Sequence, residues 1–149
     1  MSLKVSRISP ADDLRDIWAQ TQLDVWGSDN EMADQTDEAI RVYVSHADNV
    51  MLGAYDDKKL VGLLLATKIY TTKQKDSWML VDGLNVKPSY RRQGIATSLM
   101  DHLFKVAKDW NLHEVWLGTE PDNEAANKLY KSLKPIKVER FVAYTFKID

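Results

Sequence analysis

The sequence predicts one α/β domain in which helices flank a mixed sheet. Three observations carry this reading. The chain has 149 residues, enough for one ordinary core but not two. Residues 50–55 and 59–68 are apolar runs joined by the polar Asp56-Asp57-Lys58, a hairpin pattern. From Trp78 onward the order is strand, helix, strand, helix, and a helix bridging two strands implies a parallel crossover.

The first strand is residues 3–8, where apolar and polar positions alternate as on an edge strand. Ser9-Pro10-Ala11-Asp12 supplies a cap and a proline suited to a helix start, so a helix is expected over 10–25. Leu14, Ile17, Trp18 and positions 20–23 would face inward. Gly27-Ser28-Asp29-Asn30 marks a loop. A second helix follows over 36–46, with Ile40, Tyr43 and Val44 on one face. Gly62, inside the second hairpin strand, signals a bulge or a close backbone approach. Residues 71–77 read as loop.

Residues 78–86 form the central strand. A period of two places Leu80, Asp82, Leu84 and Val86 on one face, so Asp82 is a carboxylate expected among apolar neighbours, with a raised pKa if buried. It reads either as a satisfied hydrogen bonder or as a general base. Ile95, Leu99, Leu103 and Ala107 recur every four residues, an amphipathic helix running to Trp110 and ended by Asn111. Residues 113–119 are a further strand, 124–133 a short helix, and 138–148 a strand or hairpin that would close an edge of the sheet.

Composition excludes several functions. The chain is 44% hydrophobic and 28% charged with a formal charge of −2, which gives no general basic surface for nucleic acid or anionic lipid. The absence of cysteine removes disulfides, thiolate metal sites and a cysteine nucleophile, and three scattered histidines suggest no metal centre. No run approaches a membrane span and the N-terminus has no apolar signal core, so a cytoplasmic protein is expected. Between Asp16 and Ile40 there is no lysine or arginine, while Asp16, Asp24, Asp29, Glu31, Asp34, Asp37 and Glu38 are acidic. This stretch is either a solvated surface or an attractor for a cationic ligand.

The most informative stretch is 81–100, where the central strand ends at Lys87-Pro88, turns through Ser89 to Gln93, and opens a helix at Gly94. The first N–H groups of a helix lack internal partners and lie at the positive end of the peptide dipoles. Such ends bind phosphates. Gly94 and Ala96 keep side chains out of the way, and Arg91 and Arg92, with Lys87 nearby, add positive charge. Neither the three-glycine dinucleotide fingerprint nor a P-loop occurs in the chain.

The spacing Arg91-x-x-Gly94-x-Ala96 resembles the acyl-CoA pyrophosphate motif of the GNAT superfamily of N-acetyltransferases, Gln/Arg-x-x-Gly-x-Gly/Ala. The match extends upstream through Leu84-Asn85-Val86-Lys87-Pro88-Ser89-Tyr90. A second stretch, Asn123-Glu-Ala-Ala-Asn-Lys-Leu-Tyr130-Lys-Ser-Leu133, is similar to the family's Asn-x-x-Ala-x-x-Leu-Tyr-x-x-Leu-Gly-Phe, except that Lys134-Pro135 replaces Gly-Phe. That departure bears on the last strand, since proline fixes φ and donates no hydrogen bond. Residues 1–74 match in layout only.

The resemblance implies a GNAT-type single domain over 1–149, with a mixed, largely antiparallel sheet flanked by helices. It implies acetyl-CoA as co-substrate. The backbone of Leu84, Asn85 and Val86 would pair with the pantetheine amides, and Arg91 together with Arg92, Gln93, Gly94, Ile95, Ala96 and Thr97 would hold the pyrophosphate. Asn123 would contact the pantetheine arm. Tyr130 would lie near the thioester sulfur as general acid, although Ala126, Leu129, Tyr130 and Leu133 also have the spacing of core packing. Asp82, or as second choice Glu120, would deprotonate the amine.

The function expected is direct acetyl transfer to a primary amine in a ternary complex, the acceptor being a cationic small molecule such as an aminoglycoside or polyamine. Two other readings remain: a protein or peptide N-acetyltransferase, and a non-catalytic acyl-CoA sensor. A homodimer is a candidate assembly.

Overall fold

The computed structural model describes residues 1–22, 26, 34–73 and 77–149. The chain divides into two compact units, Met1–Gly118 and Thr119–Asp149. The first unit contains β1 (Leu3–Arg7), α1 (Leu14–Thr21), α2 (Asp37–Ser45), β2 (Asn49–Asp56), β3 (Lys59–Ile69), β4 (Trp78–Val86), α3 (Ile95–Asp109) and β5 (Val115–Trp116). The second contains α4 (Glu124–Ser132).

The five strands pair in chain order. The β1–β2, β2–β3 and β3–β4 ladders are antiparallel and β4–β5 is parallel. The hairpin between β2 and β3 turns through Asp57, held at φ 58°. Helix starts follow their caps: the Asp13 side chain accepts from the Asp16 N–H and the Thr36 side chain from the Ala39 N–H. The proline at residue 10 therefore precedes α1 by a turn instead of opening it. The C-terminal end of the helix expected over 10–25 and the 27–30 loop lie outside the described residues.

Alternation of side chains assigns the two faces of the sheet. On one, Met51, Leu60 and Leu63 pack with Leu14 and Ile17 of α1, Ile40 of α2, and Ile8 and Trp26. The other carries Gly62, against which α3 lies: a Cβ on Gly62 would sit 3.1 Å from both Ile95 Cγ2 and Leu99 Cδ1. A register shift between Ala54 and Tyr55 sets Gly62 opposite Ala54 and Leu60 opposite Tyr55. Gly62 thus fulfils both expectations, standing beside a bulge and permitting a close approach.

The central strand departs from simple alternation. Ala66 pairs with Val81 and Leu65 with Gly83, so Asp82 is an extra residue in β4, a β-bulge. Leu84 and Val86 consequently share a face with Met79 and Val81, opposite Leu80, and the single apolar face expected for Leu80, Asp82, Leu84 and Val86 does not exist. Asp82 is exposed rather than buried.

Two C-terminal expectations also change. The strand expected over 113–119 contracts to Val115–Trp116. Residues 138–148 form no strand within the chain, and every residue from Lys134 to Asp149 is exposed. At the helix exit Lys134 takes φ 58° and Pro135 follows without an N–H to donate.

The tight seat of α3 on β3 is testable. Gly62→Val adds three carbons where the first already meets two packed side chains, and it is expected to destabilise the protein by ~1–3 kcal/mol. Urea denaturation with an unchanged midpoint would show that α3 can move away without loss.

Candidate active site

The candidate residues of the first unit lie along one continuous path, from the bulge in β4 through a tight turn into α3. After Val86, a 3-10 turn spans Pro88–Tyr90. Three contacts fix it. The Lys87 N–H donates to Val61 O at 2.9 Å, the Tyr90 hydroxyl to Asp56 Oδ2 at 3.0 Å, and Arg91 Nε to Val86 O at 3.2 Å. The turn is therefore tied both to the β2–β3 hairpin and to the strand it leaves.

Arg92 (φ 60°) and Gly94 (φ 80°) both adopt left-handed backbone before the helix begins. Gly94 is the N-cap of α3 and provides no side-chain cap. The first helical bond runs from the Ser98 N–H to Gly94 O at 3.0 Å, so the N–H groups of Ile95, Ala96 and Thr97 have no acceptor within the helix. A Cβ at Gly94 would meet nothing within 4 Å. The glycine answers a need for positive φ, and the space beside it is open for an approaching ligand. Arg92, Gln93 and Gly94 are exposed, while Ile95 is buried beneath them and anchors the first turn. Unpaired amides, a helix dipole and arginines at the rim form a cradle that suits an anion such as a diphosphate.

The edge of β4 leading to this cradle is also exposed to pairing. The bond from the Lys87 N–H to Val61 O sets the phase of the antiparallel ladder, so Asn85 and Gly83 turn their backbone groups toward β3. Leu84 and Val86 turn theirs away from it. Among the described residues, β5 pairs with β4 only at Met79 and Leu80, before the bulge. The outward N–H and C=O groups of Leu84 thus suit the amides of an extended chain such as pantetheine, as does the Val86 N–H.

Asp82 lies at the start of this path. Burial first, and then the negative charge of Asp82, push the Tyr43 phenol well above the usual tyrosine range. Tyr43 projects from α2 and its hydroxyl donates to Ala66 O at 2.9 Å. Sequence reasoning gave Tyr43 only a packing role and missed the bulge beside it. The signal was Gly83, a glycine inside a strand directly after an aspartate.

Lys87 does not join the arginines at the surface. It is 4% exposed and its Nζ lies 5.4 Å from the centre of the Trp26 ring. Burial, followed by repulsion from Lys59, lowers its pKa.

In the second unit, the remaining candidates gather on α4 and its cap. Asn123 Oδ1 accepts from the Ala126 N–H at 3.1 Å, capping the helix, so its Nδ2 is the atom left to donate to a ligand. The Asn127 side chain ties the same turn together, donating to Glu120 O at 3.0 Å and Asn123 O at 2.8 Å. The Glu120 backbone is thus part of the capping turn, while Glu120 itself is exposed. Ala126, Leu129, Tyr130 and Leu133 form the less exposed stripe of α4, and burial pushes the Tyr130 phenol up. Such a phenol stays protonated at neutral pH, as a proton donor must. Among the described residues no three His, Asp or Glu side chains cluster to hold a metal, and no helix is long and apolar enough to cross a membrane.

Comparison with known proteins agrees with this geometry. The acetyltransferase (GNAT) family model matches residues 11–134, a span that includes the turn at Gly94, the Asn123 cap and Tyr130. No curated protein sequence matches the chain. Among solved structures, the chain is similar to an aminoglycoside acetyltransferase from an uncultured soil metagenomic sample, solved with sisomicin: TM-score 0.85, 19% identity, covering 99% of this chain and 97% of that one. It is also similar to an aminoglycoside 6′-N-acetyltransferase from Acinetobacter baumannii, with TM-score 0.73, 26% identity and coverage of 99% and 100%. A third, AAC(6′)-Iy in complex with a CoA-containing bisubstrate analogue, gives TM-score 0.78, 17% identity and coverage of 99% and 100%. With the uncapped helix start, the open β4 edge and the family model in agreement, the chain belongs to the GNAT acetyltransferase family and is an acetyl-CoA-dependent N-acetyltransferase.

Proposed function

We propose that this enzyme, acting as a single domain over residues 1–149 in the cytoplasm, acetylates the primary amine of a small cationic molecule such as an aminoglycoside or polyamine. The observation that carries the coenzyme half is the start of α3, where Gly94 leaves three N–H groups uncapped beside open space. Support for the acceptor half comes from the acidic composition between Asp16 and Ile40. Three structural neighbours named as aminoglycoside acetyltransferases point the same way.

In this reading Ile95, Ala96 and Thr97 donate backbone hydrogen bonds to the coenzyme pyrophosphate, with Arg91, Arg92 and Gln93 at its rim. Leu84 and Val86 offer the strand edge to the pantetheine arm, whereas Asn85, expected to share that role, turns its backbone groups to β3, and Asn123 donates from its amide. Acetyl-CoA supplies the activated acyl group, and the protein's own task is to position it and to move two protons.

The first proton is on the acceptor. A primary amine with a pKa of about 10.4 is neutral in roughly one molecule in 2,500 at pH 7, a cost of ~4.6 kcal/mol. Carboxylates that attract an ammonium ion also hold its proton, so attraction and deprotonation are best divided between groups. Exposed Asp82 serves as the proton acceptor through water, a different role from that of the desolvated base which its sequence position suggested, and Glu120 is the second choice. Asp16, Asp34 and Glu38 are exposed and join the attracting group, while Asp24, Asp29 and Glu31 lie outside the described residues.

The second proton goes to the departing thiolate, and Tyr130 provides it. An ordinary phenol and thiol differ by about 1.5 pKa units, or roughly 2 kcal/mol, and burial of Tyr130 widens that gap. Transfer to a fully formed thiolate is therefore uphill, so Tyr130, still protonated at neutral pH, donates as the C–S bond breaks and charge develops on the sulfur.

Three outcomes are expected. Gly94→Val forces a branched side chain into φ 80° and into the ligand's space, so calorimetry should show acetyl-CoA affinity reduced by about tenfold or more, ~1.4 kcal/mol. Unchanged affinity in a folded variant would remove the pyrophosphate assignment. Tyr130→Phe should lower kcat by about 10²–10⁴-fold with little change in acetyl-CoA affinity, and wild-type turnover would return Tyr130 to packing. Asp82→Asn should lower kcat and alter the shape of its pH profile for a cationic acceptor. A superimposable profile, or a best acceptor that is neutral or anionic, would overturn the corresponding half of the proposal.

A further inference from the structure

In the first unit, the sheet face opposite α3 is covered unevenly. Beneath α1 and α2 the core draws on Met51 of β2 and on Leu60 and Leu63 of β3. Farther along the same face lie Trp78 and Leu80 of β4, because they alternate with Met79 and Val81, which are 0% and 9% exposed on the α3 side. Trp78 and Leu80 are only half-buried. Trp116 of β5 stands beside Leu80 in the parallel pair and so shares its face, where it is 39% exposed. The rings of Trp78 and Trp116 meet edge to face, with centroids 6.1 Å apart and planes at 75°. Two indoles at nearly a right angle make a corner with flat apolar walls.

Asp82 lies two residues beyond Leu80, roughly 7 Å along the strand. Its charge is felt on this face, since it acts on the phenol of Tyr43, which α2 lays over the sheet with the hydroxyl donating to Ala66 O at 2.9 Å. We propose that Trp116, with Trp78 behind it, is a specificity-determining subsite for the acceptor and selects primary amines that carry a ring one or two carbons from the nitrogen. The inference rests on the acetyl-transfer reading above, with Asp82 taking the amine's proton. A nitrogen placed at Asp82 brings such a ring over the exposed indole. The wall then acts in two ways: the ring face buries apolar area against it, and the indole attracts the nearby ammonium ion. A linear polyamine gains the second effect but has no face to offer the first. It must also immobilise more torsions to lie along the corner. The saturated rings of amino sugars and the aromatic rings of aralkylamines share the chemistry required, so the test carries one of each.

Steady-state acetylation of sisomicin, phenethylamine and spermidine tests the subsite. Trp116→Leu keeps apolar bulk for folding and removes the flat wall. Relative to its effect on spermidine, it should raise KM for both ring-bearing amines by about five- to tenfold with kcat little changed, since the indole binds the acceptor and moves no proton. Trp116→Phe keeps a ring face and should restore most of the preference. Acetyl-CoA affinity, read by calorimetry, should stay at its unmodified value in both variants and show that the fold is intact. Equal losses on all three amines, a Trp116→Phe enzyme that matches Trp116→Leu, or turnover confined to spermidine would overturn the subsite while leaving acetyl transfer to amines standing. An unmodified protein that acetylates none of the three would overturn the acceptor reading itself, and the subsite with it.

Discussion

The β3–β4 ladder is the constraint on which the rest of the first unit depends. On one side it carries α3, which approaches so closely that Gly62 has no room for a side chain. On the other it carries the core shared with α1 and α2. At its end it delivers the turn whose backbone becomes the anion cradle. Lys87, Tyr90 and Arg91 each bond back to the ladder or its hairpin. The cradle's amides are thus pointed by the same hydrogen bonds that hold the sheet together.

The bulge at Asp82 divides β4 into halves with different duties. Before it, Met79 and Leu80 pair with β5 and complete the sheet. Beyond it, Leu84 and Val86 turn backbone groups to an edge that β5 does not reach. An extra residue bends a strand and increases its local twist, which separates two neighbours that would otherwise continue side by side. An open edge next to an uncapped helix start suits a ligand with amides at one end and a diphosphate at the other. The same extra residue places a carboxylate in solvent beside the Tyr43 phenol, so the distortion serves both strand pairing and the proton route proposed for Asp82.

Polar side chains near the candidate site take structural as well as chemical positions. Asn123 spends its oxygen on the α4 cap, which leaves its amide nitrogen as the atom able to donate elsewhere. Tyr130 lies in the apolar stripe of its helix, where burial keeps the hydroxyl protonated. Lys87 shows the converse: a cation beside the cradle in sequence turns inward over Trp26 and contributes nothing to the rim.

Much was legible in the chain alone. The hairpin, the central strand, α3 and the turn that opens it depend on local rules: period-two and period-four apolar patterns, helix caps, and glycine where φ is positive. They survive because neighbours in sequence enforce them. Gly62 and Gly94 could be singled out for the same reason, and both proved to mark a close approach or a left-handed residue. The side on which each β4 residue lies could not be read this way, since a single inserted residue reverses every later position and its presence depends on pairing with β3. Burial of Lys87 and exposure of Asp82 followed from that reversal and from Trp26, distant in sequence. The apolar period of residues 138–148 was also visible, but whether a strand pairs depends on the edges available to it. Local pattern determined the elements and the cradle; tertiary pairing alone decided which face, which edge and which charge each residue presents.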